Sequence, residues 1–118
     1  MAKQVLKVKK EILHSGSPKR RLITISLRER GNHAYRVLRE RIFYEFRNRS
    51  RNTHIIIKIA NRWKSGSINL DLGTTIELSP AGLIATTDIT RLHSPKKVVR
   101  KESCKIRDIR EVIINTSL

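Results

Sequence analysis

Two hydrophobic rhythms alternate along this chain, and their order predicts its elements. Leu22 to Arg28 sets Ile23, Ile25 and Leu27 on one face against Thr24 and Ser26 on the other, the two-residue period of a half-buried strand. The spacing then lengthens. Tyr35, Leu38, Ile42 and Phe46 recur every three or four residues, predicting an amphipathic helix over Ala34 to Arg47 with Asn32 as its N-cap. On its polar side Arg36–Glu40 and Arg41–Glu45 stand four residues apart, and each pair supports a helix by a few tenths of a kcal/mol. His54 to Ala60 is a nearly continuous β-branched run and predicts a central strand. Lys64-Ser65-Gly66-Ser67 reads as a turn, after which Ile68, Leu70 and Leu72 alternate until Gly73, and Ile76 and Leu78 follow. Ser79-Pro80-Ala81-Gly82 carries the chemistry of a type I turn, so this stretch with Leu83 to Ile89 predicts a hairpin or meander. Ile106, Ile109 and Ile113 return to helical spacing with Val112 beside them and Arg107, Asp108, Arg110 and Glu111 opposite, predicting a short C-terminal amphipathic helix. Val5, Val8 and Ile12 fit a helix and a strand equally weakly.

The resulting order predicts an α+β fold: a small antiparallel sheet, one or two amphipathic helices on one side, and basic terminal arms. Its packed centre should include Leu70, Ile76, Leu83 and the triplet Ile55-Ile56-Ile57. A chain of 118 residues suffices for one small domain. Residues 1–21 read as a basic N-terminal arm, 22–93 as the α+β core, and 94–118 as a basic segment with the C-terminal helix.

Charge changes the picture from fold to function. The formal net charge is +16, from 26 Lys and Arg against 10 Asp and Glu. Self-repulsion at that density disfavours compactness, so a polyanionic partner is the natural reason to keep it. Nucleic acid is the commonest one, binding through release of counterions condensed on phosphate. The charge is also segregated. Lys19 to Arg51 holds eleven basic residues against Glu29, Glu40 and Glu45; Lys96 to Arg110 holds seven against Glu102 and Asp108; the stretch between is nearly balanced.

Within these basic stretches one motif repeats. Ser17-Pro18-Lys19-Arg20 and Ser94-Pro95-Lys96-Lys97 each present two cations after a Ser-Pro bend. They resemble the Ser-Pro-basic-basic units of linker-histone tails, and also proline-directed kinase sites, which makes Ser17 and Ser94 phosphorylation candidates. Arg47-Asn48-Arg49-Ser50-Arg51 resembles arginine-rich RNA-binding segments, whose guanidinium forks grip phosphate bidentately. Three cations at a helix C-terminus also suit the macrodipole. Arg47-x-x-x-Arg51 with Glu77-x-Ser79-x-x-Gly82 resembles the arginine pair and (Asp/Asn)-x-Ser-x-x-Gly motif of cyclic-dinucleotide PilZ domains, with Glu replacing the acid or amide. Trp63, the only tryptophan, stands among Lys58, Arg62 and Lys64, where it either closes the core or stacks on a base.

Catalytic chemistry is poorly supplied. His14, His33, His54 and His93 lack a partner at ligand spacing, no carboxylate cluster suits a nuclease metal, and the five glycines are isolated. The lone Cys104 permits no internal disulfide and fits a reducing compartment. No apolar run approaches the ~20 residues of a membrane span. The expectation is therefore a non-enzymatic nucleic-acid-binding protein without metal or cofactor, RNA preferred over DNA because arginine outnumbers lysine fifteen to eleven. The contacts would come from Lys19, Arg20, Arg21, Arg36, Arg39, Arg47, Arg49, Arg51, Trp63, Lys96, Lys97, Arg100 and Lys101. Such a protein would be intracellular, nuclear or cytoplasmic in a eukaryotic cell, and able to form a homodimer. A ribosomal-type ribonucleoprotein component and a viral accessory protein (silencing suppressor or movement factor) both suit it. A peripheral protein on anionic membranes is the alternative of another class.

Overall fold

The computed structural model describes residues 4–14, 18–89 and 98–118. Its strands are β1 (Leu6–Leu13), β2 (Arg20–Leu27), β3 (Thr53–Ala60), β4 (Ser65–Leu70), β5 (Thr74–Leu78), β6 (Gly82–Ile89), β7 (Val98–Lys105) and β8 (Ile109–Ser117). One α-helix, α1 (Asn32–Arg47), joins β2 to β3, and a 3-10 turn at Ile106–Asp108 joins β7 to β8. The strands form a five-stranded sheet in the order β1-β2-β8-β3-β4 and a three-stranded sheet in the order β5-β6-β7, antiparallel throughout.

The molecule is thus mostly β, with a single α-helix among the described residues, and the α+β expectation is corrected. The difference has a physical cause in β8. Lys58 pairs with Glu111 but Ile59 pairs with Ile109, so one extra residue is inserted opposite the end of β3. This irregularity puts Ile109 and Val112, three residues apart, on the same buried face. Ile106, one 3-10 turn earlier, is also buried, and together they imitate a helical stripe. The basic terminal arms are corrected too. The stretch Leu6–Leu13 is an edge strand, and the C-terminal stretch supplies the middle strand of the larger sheet. The helix begins at Asn32 with Gly31, at φ +144°, in the cap position, so Asn32 is not the capping residue.

One core unites the layers. Ile25, Ile55, Ile57, Ile59, Ile68, Leu70, Ile109, Val112 and Ile114 line the inner face of the larger sheet. Leu38 and Ile42 of α1, and Leu83 and Ala85 of the smaller sheet, belong to the same cluster, with Ile76 and Leu78 packed at its margin. Of the predicted centre, Ile55, Ile57, Leu70 and Leu83 are buried, whereas Ile56 faces the other side, in a row with Ile113 and Thr24. Strict alternation inside the triplet decides this.

Two turns need glycine. Gly73, at φ +84°, lets the chain reverse between β4 and β5, where Thr74 N donates to Asp71 O at 3.1 Å and Asp71 N donates to Thr74 Oγ1 at 3.2 Å. At Gly82 a Cβ would lie 2.5 Å from the Cys104 carbonyl oxygen, so β6 and β7 approach there as only glycine permits. Lys7, Lys9 and Lys10 stand on β1, whose outer edge is unpaired, and charge of this kind discourages edge-to-edge pairing. Among the described residues no buried side-chain nitrogen or oxygen lacks a partner.

Ile57→Asp and Ile56→Asp separate the two faces. Ile57 is 0% exposed, so a carboxylate there should cost several kcal/mol and abolish the cooperative thermal transition followed by circular dichroism. Ile56→Asp should keep that transition at a lowered Tm.

Candidate nucleic-acid interface

The antiparallel connectivity sorts the basic residues onto two ends of the fold. At one end β1 finishes, β2 begins, α1 finishes, β3 begins and β8 finishes. Arg20 pairs with Ser117 and Arg21 with Thr116, and Thr116 pairs on its other side with Thr53. Leu118 N donates to Lys19 O at 2.8 Å and Ser117 N to Asn52 O at 3.1 Å. The last two residues of the chain therefore bridge Lys19-Arg20-Arg21 to the segment ending in Arg51. Thr74, next to the helix C-terminus through Arg49, opens the row Thr74–Thr87–Arg100, with Thr75–Thr86–Lys101 beside it. Lys19, Arg20, Arg21, Arg47, Arg49, Arg51, Arg100 and Lys101 thus come from three distant stretches to one end, the basic end of the fold.

Their roles differ. The Arg49 guanidinium lies 3.9 Å over the Phe46 ring. It donates to Phe46 O at 3.4 Å, Thr74 O at 3.3 Å and Asp71 O at 3.5 Å. Its burial pushes the pKa down. Arg49 is a clip between the helix terminus and the β4–β5 turn, and its charge is partly spent on the fold. Arg100 is held by Glu102 at 2.6 Å. Arg47 lies over Phe43 at 5.2 Å and stays exposed. Lys19, Arg20, Arg21, Arg47, Arg51 and Lys101 face solvent and form no ion pair with an acid among the described residues. Polar neighbours are at hand: Ser50 Oγ and Thr53 Oγ1 are 2.8 Å apart, and His54 Nδ1 stands 3.3 Å from Asp71 Oδ1.

Arg36 and Arg39 lie away from this end, along α1. Arg36 reaches His33 Nδ1 at 3.4 Å, and half-buried Arg39 lines a groove with Glu40, Phe43, Ile76 and Leu78. Lys96, Lys97, Ser17 and Ser94 lie outside the described residues.

Trp63 is at the opposite end, in the turn between β3 and β4, and is 86% exposed. It does not close the core. Arg28, Arg30, Arg62, Lys64, Lys105, Arg107 and Arg110 are exposed at this end too, which residue patterns miss because they come from separate stretches. One signal for Trp63 is present: Asn61, a residue that closes turns with its side chain, two positions before it. The Ser79–Gly82 turn, which shares a cleft with Asn32 and Tyr35 at the helix N-terminus, also belongs here. Arg47 and Arg51 are at the other end, so the two halves of the cyclic-dinucleotide pattern do not meet.

Among the described residues no three His, Cys, Asp or Glu side chains gather as a metal site would need, and no helix is long and apolar enough to cross a membrane. Cys104 is half-buried, and burial together with the Asp108 carboxylate pushes its thiol up to about 11. No protein-family model, curated protein or solved structure matches this chain.

Arg49→Ala should lower Tm by several degrees, in line with about 1–2 kcal/mol for lost hydrogen bonds and a cation–π contact, while Arg51→Ala should leave Tm nearly unchanged. Thermal melts of both variants check it. Alkylation of Cys104 by iodoacetamide at pH 8 should run on the order of a hundredfold slower than for a free thiol and accelerate steadily up to pH 10, since only the thiolate reacts.

Proposed function

We propose that this protein binds nucleic acid without catalysis, RNA in preference to DNA, by laying its basic end along the phosphate backbone. The observation that carries the reading is convergence. Cations far apart in sequence, on β2, after α1 and on β7, share one end of the fold, six of them without an acidic partner among the described residues. Such a cluster raises the cost of folding through like-charge repulsion, and a polyanion relieves it. Exposed Arg20, Arg21 and Arg51 offer planar forks for bidentate phosphate contact. Register and shape, not base edges, would set the contact, because phosphate carries no sequence.

A second reading has its own observation. Ile12, Leu13, Leu72 and Leu118 are exposed at the basic end, an apolar element that would help the protein sit on an anionic membrane. Nucleic acid is the stronger reading because the charge converges, whereas these four aliphatic side chains are divided among β1, the β4–β5 turn and the chain terminus.

Binding to structured RNA should fall with salt at a log–log slope of about −4 to −5, as expected when about six phosphates are neutralised. The triple variant Arg20→Glu, Arg21→Glu, Arg51→Glu should weaken binding at least about tenfold for unrelated RNA sequences alike, with Tm little changed. A salt-insensitive affinity, or tighter sedimentation with phosphatidylserine vesicles than binding to RNA at equal salt, overturns the proposal.

A further inference from the structure

We propose that the turn between β3 and β4 is a second nucleic-acid contact, distinct from the basic end, which takes one unpaired nucleobase on the open face of Trp63. This rests on the nucleic-acid reading above and adds to it the chemical form of the ligand: single-stranded, with a base free to stack.

A tryptophan 86% exposed to water contributes almost nothing to the core. From Ala60 to Ser67 it is the only large apolar side chain, so the turn is no hydrophobic patch of the kind that docks a protein or enters a lipid layer. The turn is instead held open by polar contacts. Asn61 Oδ1 accepts from Trp63 N and from Lys64 N, both at 2.8 Å, and Asn61 N donates to Lys64 O at 2.8 Å. Asn61 Nδ2 donates to Asp108 Oδ2 at 3.3 Å, tying the turn to the 3-10 turn before β8. The backbone that carries the indole is thus ordered before any ligand arrives, which lowers the cost of binding there.

The surroundings fit a nucleotide. The Arg62 guanidinium lies 5.4 Å from the centroid of the Trp63 ring, covering one face as a cation–π partner. The other face is free for a base, making a stack of guanidinium, indole and nucleobase. Phosphates on either side of that base would meet Lys64 and the exposed arginines of the same sheet end. Arg30 Nη1 donates to Arg107 O at 2.9 Å, which fixes the Arg28–Arg30 segment beside the 3-10 turn, next to Arg110. Aromatic stacking with flanking cations tolerates any base and suits single strands.

Because Trp63 is the only tryptophan, its emission reports on this turn alone. The test titrates the full chain with a short single-stranded oligouridylate carrying a remote dye, reading dye anisotropy and tryptophan emission together. Expected are strong quenching that tracks binding, a loss of affinity of roughly tenfold in Trp63→Ala, and recovery of most of it in Trp63→Phe. The Arg20→Glu, Arg21→Glu, Arg51→Glu variant should still quench on saturation. Several results overturn the inference: anisotropy that rises while emission stays constant, affinity unchanged in Trp63→Ala, or quenching abolished in the charge-reversed variant. So does a blue-shifted emission with phosphatidylserine vesicles and none with the oligonucleotide. Structured RNA that binds with the salt slope given above while the oligouridylate leaves Trp63 untouched removes this contact and leaves the basic end standing. Failure of both RNAs to bind removes both.

Discussion

The whole arrangement depends on the last strand of the chain being laid between the second and the third. β8 pairs with β2 on one side and β3 on the other, and without it the larger sheet is two separate hairpins. It also delivers Ile109, Val112 and Ile114 to the inner face, against Ile25 of β2 and Ile55 and Ile57 of β3. Packing and backbone pairing are therefore acquired in one step, and that step is the least local in the fold. β2 waits for a partner some ninety residues further on, as the pair Arg20–Ser117 makes plain. Loop closure of this length is slow, so the sheet is completed only after β8 has found its place between β2 and β3.

The same strand sets the electrostatics. Joining β2 to β3 through β8 brings Lys19-Arg20-Arg21 beside the segment that leaves the helix at Arg47 and ends at Arg51. The fold thus concentrates like charges that the extended chain would keep apart. Some of this charge is absorbed internally. Arg47 and Arg49 sit where the helix dipole favours cations, Arg49 is shared among three carbonyl oxygens, and Arg41 is matched by Glu45 at 2.9 Å. Exposed Lys19, Arg20, Arg21, Arg51 and Lys101 form no ion pair with an acid among the described residues.

Periodicity alone makes most of the strands legible. β2, β3 and β6 lie within a residue or two of the expected bounds, and α1 differs mainly in starting at Asn32. β8 misleads because an inserted residue in a strand and a turn of helix place apolar side chains at the same three-residue spacing. β1 is ambiguous for another reason. It is an edge strand whose Val8 and Ile12 remain substantially exposed, so neither face carries a clean apolar pattern. The site divides the same way. The charge of Lys19–Arg21 and Arg47–Arg51 is visible locally, but their proximity exists only through β8, and the structural task of Arg49 only through the β4–β5 turn. A linear pattern carries neither fact.

Separation along the sheet gives the two ends different chemistry. An eight-residue strand spans roughly 26 Å, so the basic end and Trp63 are too far apart to grip one nucleotide. At the basic end, guanidinium and ammonium groups come without a nearby exposed aromatic ring other than those of the helix, Phe43 and Tyr44. That end is suited to a charged backbone whatever its bases do. At the other end one indole stands on a turn fixed by Asn61, and a base must leave its own stack to reach it. A duplex satisfies the first requirement and an unpaired strand satisfies the second. On the proposed reading, a nucleic acid that contains both, a helix with a single-stranded extension, would engage the two ends together. Linking two modest contacts in this way raises avidity without demanding that either be tight, and the rigid strands between them fix the distance at which they cooperate.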